Sequence, residues 1–170
     1  MFGAVALDSY AFLPRAFRTM FEAAPQFEHE PIWADFTKPL NQARIGLLSS
    51  AGIFIQGEQD GFDVERERQE PTWGDPTLRP IRSNVCQADI GATHLHIRTD
   101  DLLRDIDVAL PINRLGELVA DGRVGSGAPE HFSVMGFQQD GAEVWRTATG
   151  PEIAARCHVA EIDALILAPA

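Results

Sequence analysis

The stretch ARIGLLSSAG, Ala43 to Gly52, constrains the fold more than any other part of the chain. A strand with one wet face alternates apolar and polar residues, whereas a strand buried on both faces reads as a continuous apolar run. This stretch is continuous, so it predicts a parallel strand inside a sheet covered by helices. Ser49, Ser50, Ala51 and Gly52 follow at its carboxyl end. In an open α/β sheet that is where ligands sit, and small residues there let backbone approach a ligand or make a tight exit.

The rest of the chain supplies partners for such a strand. THLHI alternates and predicts a second strand, and Asp107 to Leu110 a short third. Pro111 then opens a helix with Ile112, Leu115, Leu118 and Val119 on one face, closed by Gly122. HFSVMGF predicts another strand. Thr149 and Glu152 stand at capping-box spacing ahead of a helix carrying Ile153, Cys157 and Ala160 on one face. A buried strand is expected from Asp163 to Leu167. Strands and helices in alternation argue for an α/β fold, a Rossmann-like, mostly parallel sheet with flanking helices and right-handed crossovers. Residues 43–170 are expected to form this domain. Residues 1–42 precede it as a helix over Ser9 to Ala23 and an irregular arm with Pro25, Pro31, Trp33 and Pro39. The polar segment GEQDGFDVERERQE reads as a surface loop.

Composition removes several function classes. The formal charge of −11 disfavours phosphate backbones and anionic membranes. No apolar run approaches the roughly 20 residues of a membrane span, and no secretory leader is recognisable. Neither nucleotide-binding glycine fingerprint is present. Two cysteines, Cys86 and Cys157, make no CxxC and no disulfide framework, so a cytoplasmic setting is the default.

Several residues suit chemistry. His94 and His96 are expected on one face of a strand, either as hydrogen-bonding or substrate-orienting groups, as structural histidines, or, with His131, Asp105 and Asp107, as mixed metal ligands. Asp105 and Asp107 flank Ile106 and form either an acid–base pair of split pKa values or a solvated pair. Arg79, just beyond the turn Gly74-Asp75-Pro76, either clamps a carboxylate or pairs with a surface acid. Cys157 reads as a core residue and Cys86 as exposed, with Arg82 nearby.

Four blocks in order, GDPTLRPI, THLHIRTDDLLRDIDVALPINRL, GRVGSGAPEHFSVMGF and TGPEIAARCHVAEIDALILAPA, resemble the selenoprotein B family of glycine, sarcosine, betaine and D-proline reductases, in its short D-proline reductase form. The likeness covers about Arg44 to Ala170. Gly74, Asp75, Thr77 and Arg79 match one family motif; His94 matches the histidine before an acidic loop; Asp105, Ile106 and Pro111 match a third. His131, Phe132, Ser133, Met135 and Gly136 match a fourth. Asp107 stands where the pattern has asparagine, and Ile97 and Arg98 replace an aromatic–acidic pair.

The resemblance implies reductive cleavage of a carbon–nitrogen bond by a selenocysteine or cysteine placed just after the loop Ala168-Pro169-Ala170. It also implies a thiol reductant and a pyruvoyl group on a partner subunit. Ser49, Ser50, Arg79, His94, His131 and Met135 are then expected to line the substrate, with His94, Asp105 or Asp107 moving protons. The expectation includes a reading frame that continues past Ala170 through a UGA selenocysteine codon, with further β-α units lost from this chain, and association through the uncovered last strand. The rival expectation is a catalytically silent docking subunit of such a reductase.

Overall fold

The computed structural model describes residues 14, 15, 18, 19, 34–138 and 142–170. The helix expected over Ser9 to Ala23 and most of the arm lie outside them. Phe36–Ala170 forms one compact unit.

Its axis is β1, Arg44–Ser49. On one side β1 pairs in parallel with β5, Ser126–Gly127, and then with β6, Glu130–Ser133. On the other side it pairs in parallel with β7, Ala164–Ala168, in register Ile45 to Ala164 through Ser49 to Ala168. β3, Arg79–Arg82, adds antiparallel to β6. A separate antiparallel pair joins β2, Ile53–Ile55, to β4, Ile90–Ala92. The helices are α1, Val64–Gln69; α2, Asp100–Arg104; α3, Ile112–Ala120; and α4, Gly150–Val159, which continues a π-helical turn at Trp145–Thr149. This is a mixed α/β fold with a mostly parallel, Rossmann-like sheet.

The continuous apolar run of β1 is explained by two cores. Ile45 and Leu47 pack with Ile112 and Leu115 of α3. Leu48 turns to the opposite face, where Phe132, Val134, Trp145, Ile153 and Leu165 gather. Gly46 lies close under that second face: a Cβ there would lie 3.0 Å from the tip of Leu165 and 3.1 Å from that of Ile162, so both side chains would have to give.

Four expected elements differ. THLHI is a bend, since Nδ1 of His94 takes the backbone N–H of His96 at 3.1 Å and so diverts it from any ladder. Asp107 to Leu110 is a turn of 3-10 helix over Ile106–Val108, initiated by Asp105 Oδ1 accepting from Asp107 N at 3.0 Å. The charged segment expected to be a surface loop contains α1, whose N-cap Asp63 accepts from Arg66 N at 3.0 Å. No capping box forms at Thr149: the residue is already helical, and its hydroxyl donates to Pro76 O at 2.6 Å. The last strand forms, but at the sheet edge rather than buried. Ile166 and Leu167 are 49% and 65% exposed.

Candidate functional site

Parallel pairing brings the carboxyl ends of β1, β6 and β7 to one corner. Val134 N donates to Ser49 O at 2.9 Å, Ser50 N to Ala168 O at 3.3 Å, and Gly136 N to Ser50 O at 3.0 Å. The two serines differ. Ser49 is fully buried, and its Oγ accepts from Ala51 N at 3.2 Å. Ser50 is partly exposed, and its Oγ accepts from Ala170 N at 2.9 Å, which leaves its O–H proton to donate. Met135 is fully buried and bridges Ala51 across the corner. Gly52, at φ 65°, completes the turn; a Cβ there would lie 2.2 Å from Thr93 O and 3.5 Å from His94 Cβ. Ser49, Ser50 and Met135 thus meet where the last strand leaves the sheet, and His94 stands beside the Gly52 turn that follows β1.

A buried polar cluster adjoins this corner. His94 is 9% exposed; its Nδ1 accepts the His96 N–H and its Nε2 has no partner. Burial, then the charge of His96, pushes His94 below the ordinary histidine range. The His96 ring stands edge-on to His94 at 5.8 Å and packs on Phe137 at 4.1 Å between centroids. His96 Nε2 lies 3.1 Å from Oε1 of Glu67, yet neither Glu67 oxygen receives an aligned hydrogen bond. Glu67 is 2% exposed. Burial pushes its carboxyl above the usual range, against the opposing pull of His96 and with a smaller push from Asp75. Gly74 closes the wall: a Cβ there would lie 1.6 Å from Phe137 O, so only glycine lets the two segments meet.

The other expected site residues make their contacts within the scaffold. Arg79 donates to Asp60 O, Gly61 O, Leu78 O and Thr77 Oγ1, at 2.7 to 3.1 Å, and covers the Phe62 ring. Its remaining N–H faces Asp75 at 3.9 Å. His131 closes a gap in the sheet. Ala128 N reaches Ile45 O, but the next free donor, Leu47 N, bonds Nδ1 of His131 at 3.2 Å. Burial lowers this imidazole to about 4. On its other side it lines a cavity of about 460 Å³ with Arg44, Ser126 and Pro129. Asp107 accepts from Asn113 N at 2.9 Å and Arg114 N at 3.3 Å, which caps α3. Asp105 and Asp107 are therefore joined to a helix start rather than to the strand-end corner. Cys86 is exposed, and burial pushes the Cys157 thiol up, away from activation. Among the described residues, no three His, Cys, Asp or Glu side chains converge as a metal set.

Glu67 was invisible to sequence reasoning. Within VERERQE nothing distinguishes it from Glu65 or Glu70 except its spacing from Val64, and a single apolar neighbour sets no period.

The fold and this corner define an α/β protein with a polar site at the carboxyl ends of parallel strands. The D-proline reductase subunit gamma of Acetoanaerobium sticklandii is 26% identical to the chain over 137 residues, 81% of this chain and 52% of that protein. The chain thus spans about half the length of this relative, and the likeness supports a relationship to reductases of that kind. No family model and no solved structure matches. Among the described residues, no helix is long and apolar enough to cross a membrane.

Proposed function

We propose that the chain is a component of a reductase that cleaves a carbon–nitrogen bond of an amino acid or related amine, using a selenol or thiol. The observation that carries this reading is the latched strand-end corner. Ala168 pairs with Ser49, and Ala170 N is held by Ser50 Oγ, so the loop after β7 is fixed at the carboxyl end of β1. The resemblance to the selenoprotein B family puts a selenocysteine or cysteine just after that loop. The relative is one subunit of D-proline reductase, which supports partner subunits here as well.

A selenol or thiol at this corner supplies the nucleophile, and a partner's pyruvoyl group would activate the amine. The chain's own residues do the remaining work. Among the described residues Ser50 O–H and His94 Nε2–H have no acceptor, which suits them to orienting a carboxylate. Met135 and Phe137 keep water from the apolar side. Arg79 positions the Asp60–Phe62 and Thr77–Leu78 segments. Over the whole reaction an external dithiol gives two electrons and two protons, and one C–N bond becomes C–H and N–H.

The test uses a complex isolated from the source cells through a tag on the chromosomal gene. Supplied with a dithiol and, separately, D-proline, glycine, sarcosine or betaine, it should release the cleaved amine or ring-opened acid, read by mass spectrometry. His94→Phe should slow turnover by about a hundredfold. An intact complex that cleaves none of them would overturn the reading.

The docking-subunit alternative is favoured by β7. Among the described residues its outer edge has no strand partner, and Ile166 and Leu167 face solvent.

A further inference from the structure

Among the described residues the buried acidic residue other than Glu67 is satisfied. Asp75, 5% exposed, accepts from Asp63 N at 2.9 Å and Thr77 N at 2.9 Å. Glu67 is more deeply buried and accepts no aligned hydrogen bond from any group. An ionised carboxylate in that state is expensive, and a structural one would have acquired donors. Nε2 of His96 lies 3.1 Å from Oε1 of Glu67. The two side chains differ in access: that of Glu67 is 1% exposed and that of His96 44%. Phe137 holds the outer ring in place by stacking, and His94 stands behind it with its own Nε2 unpaired.

One proton serves this pair in either position. On Glu67, the carboxyl O–H donates to a neutral imidazole; on His96, the imidazolium N–H donates to a carboxylate. At 3.1 Å the same two heavy atoms can make either bond once the carboxyl and the imidazole turn into line. We infer that Glu67 and His96 form a proton-sharing pair, with Glu67 the sheltered store and His96 the solvent-facing donor to a ligand bound at the strand-end corner. Asp75 and His94 are the other ionisable groups set against the pair.

The chemistry needs such a donor. When a C–N bond breaks, the electron pair leaves with nitrogen, and nitrogen takes a proton. His96 gives that proton and regains one from Glu67, which is reloaded from solvent through the same imidazole. This last assignment rests on the reductase function proposed above; the pair itself does not. Glu67 acts only through His96 and is a positioning residue.

The first experiment is a carbon-13 NMR titration of the glutamate carboxyls in the full chain, with Glu67 assigned through its backbone amide and checked in Glu67→Gln. Glu67 should titrate above the exposed glutamates. In His96→Gln, which loses the imidazolium charge, its midpoint should move further up. A Glu67 that titrates with the exposed glutamates, or whose midpoint is the same in both proteins, would overturn the pair. Through-bond assignment keeps the test decisive if Glu67→Gln does not fold. The second experiment takes the pH profile of turnover in the isolated complex, where His96→Gln should lower the rate about a hundredfold and flatten the profile. A wild-type complex without turnover but with the NMR shift refutes the reductase reading and leaves the pair standing. Turnover without the shift does the reverse.

Discussion

His131 shows how a single side chain can carry a backbone's hydrogen bonding. Its Nδ1 replaces the carbonyl that β5 and β6 fail to offer Leu47 N, so the ring must be neutral and hold its proton on Nε2. Burial places its folded-state value at about 4, below the ordinary 6.5. A depressed histidine contributes stability that is fully present above about 6.5 and is lost as pH falls toward 4, because the unfolded chain takes up the proton first. The difference corresponds to roughly 3 kcal/mol. Urea unfolding at descending pH should show this loss, and His131→Asn, whose amide oxygen can still accept from Leu47, should flatten it. An unchanged slope in the variant would mean that another group governs acid stability. Arg79 makes the complementary point. Its sequence setting marked it as notable, yet its partners are mostly backbone carbonyls of Asp60, Gly61 and Leu78, which no motif reports.

At the scale of elements, apolar patterning located β1, β6, β7, α3 and α4. β1, β6 and α3 bury faces large enough for their apolar residues to show in the sequence, and β7 shows as a short apolar run although it ends at the edge. Three of the misread segments share one cause: a side chain captures a nearby backbone N–H. His94 does so at His96, Asp105 at Asp107 and Asp63 at Arg66. Asp107 illustrates the energetic weight of such contacts. It lies outside α3 in sequence but receives the N–H groups of Asn113 and Arg114, and the Asn113 side chain at 3.0 Å. Asp107→Ala should lower stability by about 1–2 kcal/mol, and Asp107→Asn by less, since the amide oxygen still accepts. Chemical denaturation of both variants provides the comparison; equal losses would point to charge rather than capping. The strand-end half of the site was legible on the same grounds as β1 itself. The Glu67 half was not, because its position depends on α1 reaching His96 across 29 residues of chain, and no local pattern encodes that.

For the whole molecule, the open edge matters most. β7 is bonded to β1 and leaves Ile166 and Leu167 largely exposed. In an assembled complex these side chains are expected to be covered. Leu167→Glu should therefore release the chain from its partners during tagged purification while leaving its own fold intact by circular dichroism. Unchanged recovery of partners would place the contact elsewhere. The register of this sheet also shapes its history. β1 emerges from the ribosome early, but its fullest partner is β7; the bond from Arg44 N to the Asp163 carboxylate beside it spans 119 residues. At cellular synthesis speeds that interval is on the order of ten seconds. For that time β1 waits without its longest partner, so the strand on which the fold depends is also one open to mispairing while the chain is made.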